Sequence, residues 1–220
     1  MEAVVNSSPE LEVLRTKLRP DILQTFNVKL ARFLAETSPN SHEWRPLKIE
    51  GHFRSFMKKD KGYLSIKAEH LLPHPIEKIQ SVLASYDHRL KYDKVINDCK
   101  LVKLVNEATE ITRVNVPGQM FVSAREFLTY RIHSWLGADI HLELHYSATD
   151  TGIPVAKGAV RGVVDLQALL LRREGENTRA YFYSRASPEI SMVPQSILES
   201  KGQESVNMLL WLTDYMSKQM

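Results

Sequence analysis

Val193-Pro-Gln-Ser-Ile-Leu-Glu-Ser-Lys-Gly-Gln-Glu-Ser-Val-Asn-Met-Leu-Leu-Trp-Leu-Thr-Asp-Tyr-Met-Ser-Lys-Gln-Met220 is the stretch on which the fold turns. Pro194 suits a first helical turn, where its missing N–H is not needed. Leu198, Gly202, Val206, Leu209, Leu212 and Met216 then fall at helical spacing along one stripe. Ile197, Met208, Trp211 and Tyr215 widen it into a broad apolar face. The spacing predicts a helix over residues 194–219, about 39 Å long at 1.5 Å per residue. Its solid apolar core, Met208 to Leu212, is far short of the roughly 20 residues of a membrane span. Something else must cover this helix. Gly202, in mid-helix, either permits close approach to a neighbour or lets the first turns bend away.

The totals bound the answer. A chain of 220 residues suits one domain, and 43% hydrophobic with 25% charged residues is an ordinary soluble composition. A net charge of +3 permits attraction to anionic surfaces but is too weak to argue nucleic acid. The lone cysteine, Cys99, excludes an internal disulfide and fits a reducing compartment. The N-terminal residues hold no basic and apolar run of the signal-peptide kind. Neither a glycine after the initiator nor a C-terminal cysteine offers a lipidation site. These features predict a cytoplasmic monomer with no cofactor.

Outward from the last helix, the chain divides by period. Residues 9–37 read as helix, with Ser8 a candidate N-cap and Pro20 breaking it in two. Ile22, Phe26, Leu30, Phe33 and Leu34 give the second half an apolar face. From about residue 46 the period switches to two, predicting three strands up to residue 71, with a hairpin turn in Lys58-Lys-Asp-Lys-Gly62. Residues 76–85 and 86–93 predict two short helical pieces. Six strands follow over 95–105, 109–116, 125–136, 138–147, 158–171 and 178–187, separated by turn signals such as Pro117-Gly118 and Asp150-Thr-Gly-Ile-Pro154. The order predicts an α+β fold: an antiparallel sheet of about nine strands whose apolar face the last helix covers.

Three places could carry chemistry. His141, Glu143 and His145 alternate with Leu142, Leu144 and Tyr146, so the titratable groups share one strand face. Two imidazoles and a carboxylate can bind zinc, but a solvated outer face explains the pattern equally well, and no metal is expected. In residues 125–133, Phe127, Thr129, Arg131 and His133 share one face and Leu128, Tyr130 and Ile132 the other. If the second set packs against neighbours, Arg131 lies in the interior, where a guanidinium needs a carboxylate, carbonyls or an anion; the pattern alone leaves both orientations open. Finally, Pro117-Gly-Gln-Met-Phe-Val-Ser-Ala124 connects two strands yet carries Met120, Phe121 and Val122 in a row. They either tuck into the core or meet something apolar. Cys99 has no histidine close in sequence, and no Cys-x-x-Cys, His-Glu-x-x-His or Gly-x-Ser-x-Gly motif is present.

Four stretches, in order, resemble a known family. Tyr86-Asp-His-Arg-Leu-Lys-Tyr-Asp93 is similar to an "R-x-x-W-D" segment with Tyr92 in place of tryptophan. Ser123-Ala-Arg-Glu-Phe-Leu-Thr-Tyr-Arg131 resembles "S-x-R-[DE]-[FY]-x-x-x-R". Ile153-Pro-Val-Ala-Lys-Gly-Ala-Val-Arg161 resembles "P-x-x-x-G-x-V-R". Pro188-Glu-Ile-Ser-Met-Val-Pro194 resembles "D-P-x-G-x-I-P", with one extra residue and Ser191 for the glycine. Together they resemble START domains, the lipid-transfer modules related to steroidogenic acute regulatory protein.

The resemblance implies a helix-grip fold: a curved antiparallel sheet around the C-terminal helix, enclosing a hydrophobic tunnel for one lipid. It makes Arg131 a cavity arginine, with Phe127, Thr129, His133 and Thr112 around it and Leu209, Leu212 and Met216 on the helix wall. It makes Arg89 and Asp93 a head-group pair, and Met120, Phe121 and Val122 a membrane gate. One departure stands out: Thr112 occupies the position of the acidic partner in sterol-transfer relatives, and of a cage tryptophan in the phosphatidylcholine relative. Neither head-group recipe is intact, and phospholipid and sterol both stay open.

A carrier needs no bond chemistry. Each CH₂ exposed to water costs about 0.8 kcal/mol, so two acyl chains would cost roughly 20 kcal/mol and desorb slowly. A dry tunnel substitutes for the bilayer. The expectation is therefore a non-catalytic protein, peripheral to membranes during transfer. The alternative is a cavity-based enzyme or ligand-sensing regulator on the same fold, for which Arg131 with His133 is the only visible acid–base candidate.

Overall fold

The computed structural model describes residues 1–39, 41, 43–60, 63–118, 123–149, 151–187 and 195–219. Three helices come first: α1 (Glu2–Asn6), α2 (Pro9–Lys17) and α3 (Pro20–Thr37). Pro9 and Pro20 each open a helix, and Leu18 is extended between them, which places the break where Pro20 predicts it. Then follow β1 (Arg45–Glu50), β2 (Phe53–Asp60), β3 (Tyr63–Leu72), α4 (Ile76–Leu83) and α5 (Tyr86–Tyr92). Asp60 pairs with Tyr63, so both strands run into the expected turn, whose Lys61 and Gly62 lie outside the described residues.

The second half of the sheet comprises β4 (Asp98–Asn106), β5 (Thr109–Val116), β6 (Ala124–Trp135), β7 (Ile140–Ser147), β8 (Ala159–Arg161), β9 (Val163–Glu174) and β10 (Asn177–Ser187). The strand order is β1-β2-β3-β10-β9-β7-β6-β5-β4, with β8 alongside β6. The final strand thus joins the two halves of the chain into one sheet. All pairings are antiparallel except β6 with β8.

The expected strand over 158–171 is divided at Gly162, which brings the total among the described residues to ten. The Gly162 N–H donates to the Glu126 carbonyl at 2.9 Å. A Cβ at this glycine would lie 2.3 Å from Phe127 Cε1. Only the missing side chain lets the turn press on that ring.

Both faces of the sheet are covered. On one, Leu142, Leu144, Leu166, Leu170 and Tyr183 pack with Leu11, Leu14, Ile22, Phe26 and Phe33 of the N-terminal helices. On the other, α6 (Gln195–Ser217) lays Val206, Leu209, Leu212 and Met216 against Phe53, Met57, Ile66, Leu171 and Phe182. Gly202 brings α6 onto β3: a Cβ there would stand 3.0 Å from Leu64 Cδ2 and 3.2 Å from Ile66 Cγ2. Farther along, Tyr215 Oη and His88 Nδ1 are 2.6 Å apart, and Thr213 Oγ1 and His70 Nε2 3.2 Å. The C-terminal half of α6 is therefore tied to α5 and β3 by polar contacts as well as packing.

Two-sided cover corrects one expectation. His141, Glu143 and His145 are not on a solvated face; they are 1%, 5% and 7% exposed, beneath the α4–α6 layer.

Gly162→Ala tests the turn between β8 and β9. Forcing a methyl against Phe127 should cost about 1–3 kcal/mol of stability through overpacking. A denaturation midpoint equal to that of the unmodified protein would show the ring moves freely and the close contact is unimportant.

Candidate functional site

The inner face, toward α6, carries a polar row that follows strand register. Glu110 of β5 is paired with Arg131 of β6, Arg131 with His145 of β7, His145 with Gln167 of β9, and Gln167 with Ser184 of β10. Directly opposed residues share a face, so the five side chains line up across the sheet. Glu143 lies diagonally to Arg131, two residues from His145.

At one end of the row is a saturated ionic cluster. Arg131 Nη2 donates to Glu143 Oε1 at 2.8 Å and Nε to Glu143 Oε2 at 3.2 Å. Nη1 donates to Glu110 Oε2 at 3.3 Å, and Nη2 also meets the Leu83 carbonyl at the end of α4, at 3.4 Å. The Tyr86 hydroxyl donates to Glu110. Tyr86 is delivered by α5, whose N-cap Ser85 accepts the His88 N–H at 3.2 Å. His133 Nε2 stands 3.7 Å from Glu110 and His145 Nε2 3.5 Å from Glu143.

The electrostatics follow from these neighbours. Burial works against the Arg131 cation, yet the two carboxylates raise its pKa. Burial alone would also raise Glu143, but the Arg131 charge and His145 hold it well below the usual carboxylate range. The His133 contact, helped by Tyr86 and Arg131, outweighs burial and depresses Glu110 from 4.5 to about 2. Burial lowers His145 and takes His141 from 6.5 to about 4.

Beyond this cluster lies a cavity of about 150 Å³ between the sheet and α6. Phe127, Val164, Phe182 and Met208 form apolar wall, and Thr129, His145, Gln167 and Ser184 lie on the polar row or beside it. Arg89 and Asp93 meet the cavity from α5, with Arg89 Nε 3.6 Å from Asp93 Oδ2. Asp93 also accepts the Val95 N–H at 3.1 Å, which fixes the chain leaving the helix.

The expected site residues are placed as follows. Phe127, Thr129, Arg89 and Asp93 line the cavity. Thr112 is buried and hydrogen-bonded to Thr129, oxygen to oxygen at 3.0 Å. Arg131 is interior but enclosed by its carboxylates, and His133 is half-buried beside Glu110. Leu209, Leu212 and Met216 are in the apolar layer of α6. Met120, Phe121 and Val122 lie outside the described residues. The acidic partners of Arg131 are thus Glu143 and Glu110 rather than anything at Thr112. The alternation around Glu143 was visible in sequence, but nothing local told which way it faced.

Among the described residues no group of three His, Cys, Asp or Glu is arranged to hold a metal ion. Cys99 is buried and its thiol is pushed up by that burial. A larger cleft, about 610 Å³, opens on the opposite face between α3 and β5–β7. Its rim carries Arg19, Asp21, Lys29 and Asp165.

A ten-stranded sheet closed by one long C-terminal helix, with an interior cavity between them, defines a helix-grip domain. The chain belongs to the START domain family, whose model matches residues 46–210. No curated protein matches it in sequence. Among solved structures, human StAR-related lipid transfer protein 5 is similar with a TM-score of 0.76 at 11% identity, covering 89% of this chain and 97% of that one. Human STARD10 gives 0.74 at 15% identity, covering 85% and 78%. The lipid transfer and protein localization domain of human StarD13 gives 0.68 at 16%, covering 84% and 95%. At such identities the likeness concerns the fold.

Arg131→Met should cost about 3–5 kcal/mol, because it leaves buried carboxylates without their cation. Arg131→Met combined with Glu143→Leu should recover much of that loss in chemical denaturation. Equal stability of all three proteins would mean the cluster contributes nothing to folding.

Acid should also destabilise the fold in two stages. The folded pKa of His141 is below its unfolded value, so protonation favours unfolding as pH falls from 6.5 toward 4. Glu110 is depressed too; its contribution is complete above about pH 4.5 and is lost as pH falls toward 2. His141→Phe should flatten the first arm of the thermal midpoint against pH, and Glu110→Gln the second. Unaltered slopes in both variants would refute the assignment.

Proposed function

We propose that the protein binds one lipid between the sheet and α6 and carries it between membranes without catalysis. The observation that carries this reading is a cavity under α6 whose apolar wall, Phe127, Val164, Phe182 and Met208, meets a polar floor of Thr129, Gln167 and Ser184, with Ser205 contributed by the helix. Membership of the START family and the lipid-transfer names of its structural neighbours support the same reading. The 610 Å³ cleft on the other face is less suited, since its charged rim offers no dry surface to acyl chains.

In this reading the hydrocarbon lies along Phe127 and, once the roof has moved, Leu209, Leu212 and Met216, while Thr129, Arg89 and Asp93 border the cavity's polar side and Thr112, His133 and Arg131 stand behind them. Pockets for ligands of drug size measure roughly 300–1,000 Å³, whereas this cavity is about 150 Å³. A lipid therefore enters only if part of the roof moves aside. The C-terminal half of α6 is anchored through Tyr215 and Thr213, so opening leaves those contacts in place. Met120, Phe121 and Val122, which follow the cavity residue Val116 in the chain, meet the bilayer during exchange. No helix among the described residues is long and apolar enough to cross a membrane. The protein acts as a cytoplasmic monomer, touching membranes only to load and unload.

Native mass spectrometry of protein purified from cells should find a single bound lipid, and liposomes should exchange labelled lipid in its presence. A small polar product in the cavity would favour an enzyme instead. Phe121→Asp should cut liposome association and transfer without lowering the thermal midpoint, since one large apolar side chain contributes about 1.5–3 kcal/mol on leaving water. Association that survives the charge would remove the gate from the mechanism.

A further inference from the structure

The polar row has two ends, and they differ in what they leave unsatisfied. At the Arg131 end, two carboxylates and a carbonyl take up the guanidinium. At the other, Gln167 and Ser184 line the cavity, and among the described residues neither side chain has a hydrogen-bond partner. His145 joins the two ends: it lines the cavity, and its ring stands 3.5 Å from Glu143. An amide and a hydroxyl covered by hydrocarbon without a partner destabilise the complex. A lipid lying over them must itself offer a donor and an acceptor there.

Charge narrows the chemistry. At the cavity itself Arg89 is set against Asp93, while Arg131, with Glu143, Glu110 and His133 around it, stands at the other end of the row. Burial keeps His145 from supplying a compensating cation. Arg89 is the guanidinium at the cavity wall, with its Nε unpartnered, but buried Asp93 lies 3.6 Å away on the same wall. A phosphate would add an uncompensated negative charge to a wall where Asp93 already faces the guanidinium. A hydroxyl or amide adds none.

We infer that Gln167, Ser184 and His145 form the head-group subsite, and that it selects an uncharged lipid bearing a hydroxyl or amide over a phosphate-bearing one. This rests on the carrier reading and names its ligand class. Gln167 in particular is the specificity-determining residue: its amide both donates and accepts at the cavity end of the row.

Four fluorescent probes test this: a sterol with a free hydroxyl, a ceramide, a phosphatidylcholine and a phosphatidic acid, titrated against the full chain. The sterol or the ceramide should bind at least about tenfold more tightly than either phosphate-bearing probe. Gln167→Leu should weaken the preferred probe by about tenfold, the loss expected for one well-made buried hydrogen bond, while the thermal midpoint holds. Should that variant fail to fold, Ser184→Ala decides, with an expected loss of about threefold. Tighter binding of a phosphate-bearing probe, or preferred-probe affinity unchanged in the folded variants, overturns the subsite while leaving the carrier intact. No binding of any of the four overturns the carrier reading, and this inference with it.

Discussion

The Arg131 guanidinium, held between Glu143 and Glu110 on the covered face of the sheet, constrains much of what surrounds it. Taking a cation and two carboxylates out of water costs several kcal/mol per ion, and their attraction offsets this only with good geometry. The geometry here comes from strand register: Glu110 is directly opposite Arg131, and Glu143 diagonal to it. A slip of one residue in either pairing would turn a partner to the other face and leave a buried charge alone. The cluster therefore penalises wrong registers of β5, β6 and β7 more than it stabilises the right one. It also recruits α4 and α5, through the Leu83 carbonyl and the Tyr86 hydroxyl.

That recruitment shapes the interior. With α4 and α5 closing over the ionic end, the open space that remains lies farther along the row, under α6. The helix's C-terminal half is packed and hydrogen-bonded, whereas around Gly202 the approach to β3 depends on the absence of a side chain. The opposite face is packed by α1–α3 and further tied by Asp165 to Arg32 and Arg185, with the larger cleft left open beside α3.

Much of this architecture follows from local pattern. The period of the apolar residues marks α6 and the strands, because a helix or strand buried on one side must repeat its side chains at 3.6 or 2 residues. Prolines mark the starts of α2 and α3, since a ring without an N–H is tolerated there and excluded farther in. The division of β8 from β9 was less legible. Gly162 is visible as a glycine, but its role depends on Phe127, which is distant in the chain.

The sequence by itself determined which residues alternate, where helices begin, and that a long apolar helix follows a large sheet. It could show that Arg131 shares a face with Thr129 and His133, and that His141, Glu143 and His145 share another. Only the tertiary structure decided that these are one face, turned inward. Alternation is a property of a single strand, whereas facing depends on what covers each side, and here α1–α3 cover the side that local pattern left open. The partners of Arg131 show the same limit: Glu143 is 12 residues away and Glu110 21, on neighbouring strands. Gln167 gave no local signal at all, because its position in the row is set by pairing across β7, β9 and β10.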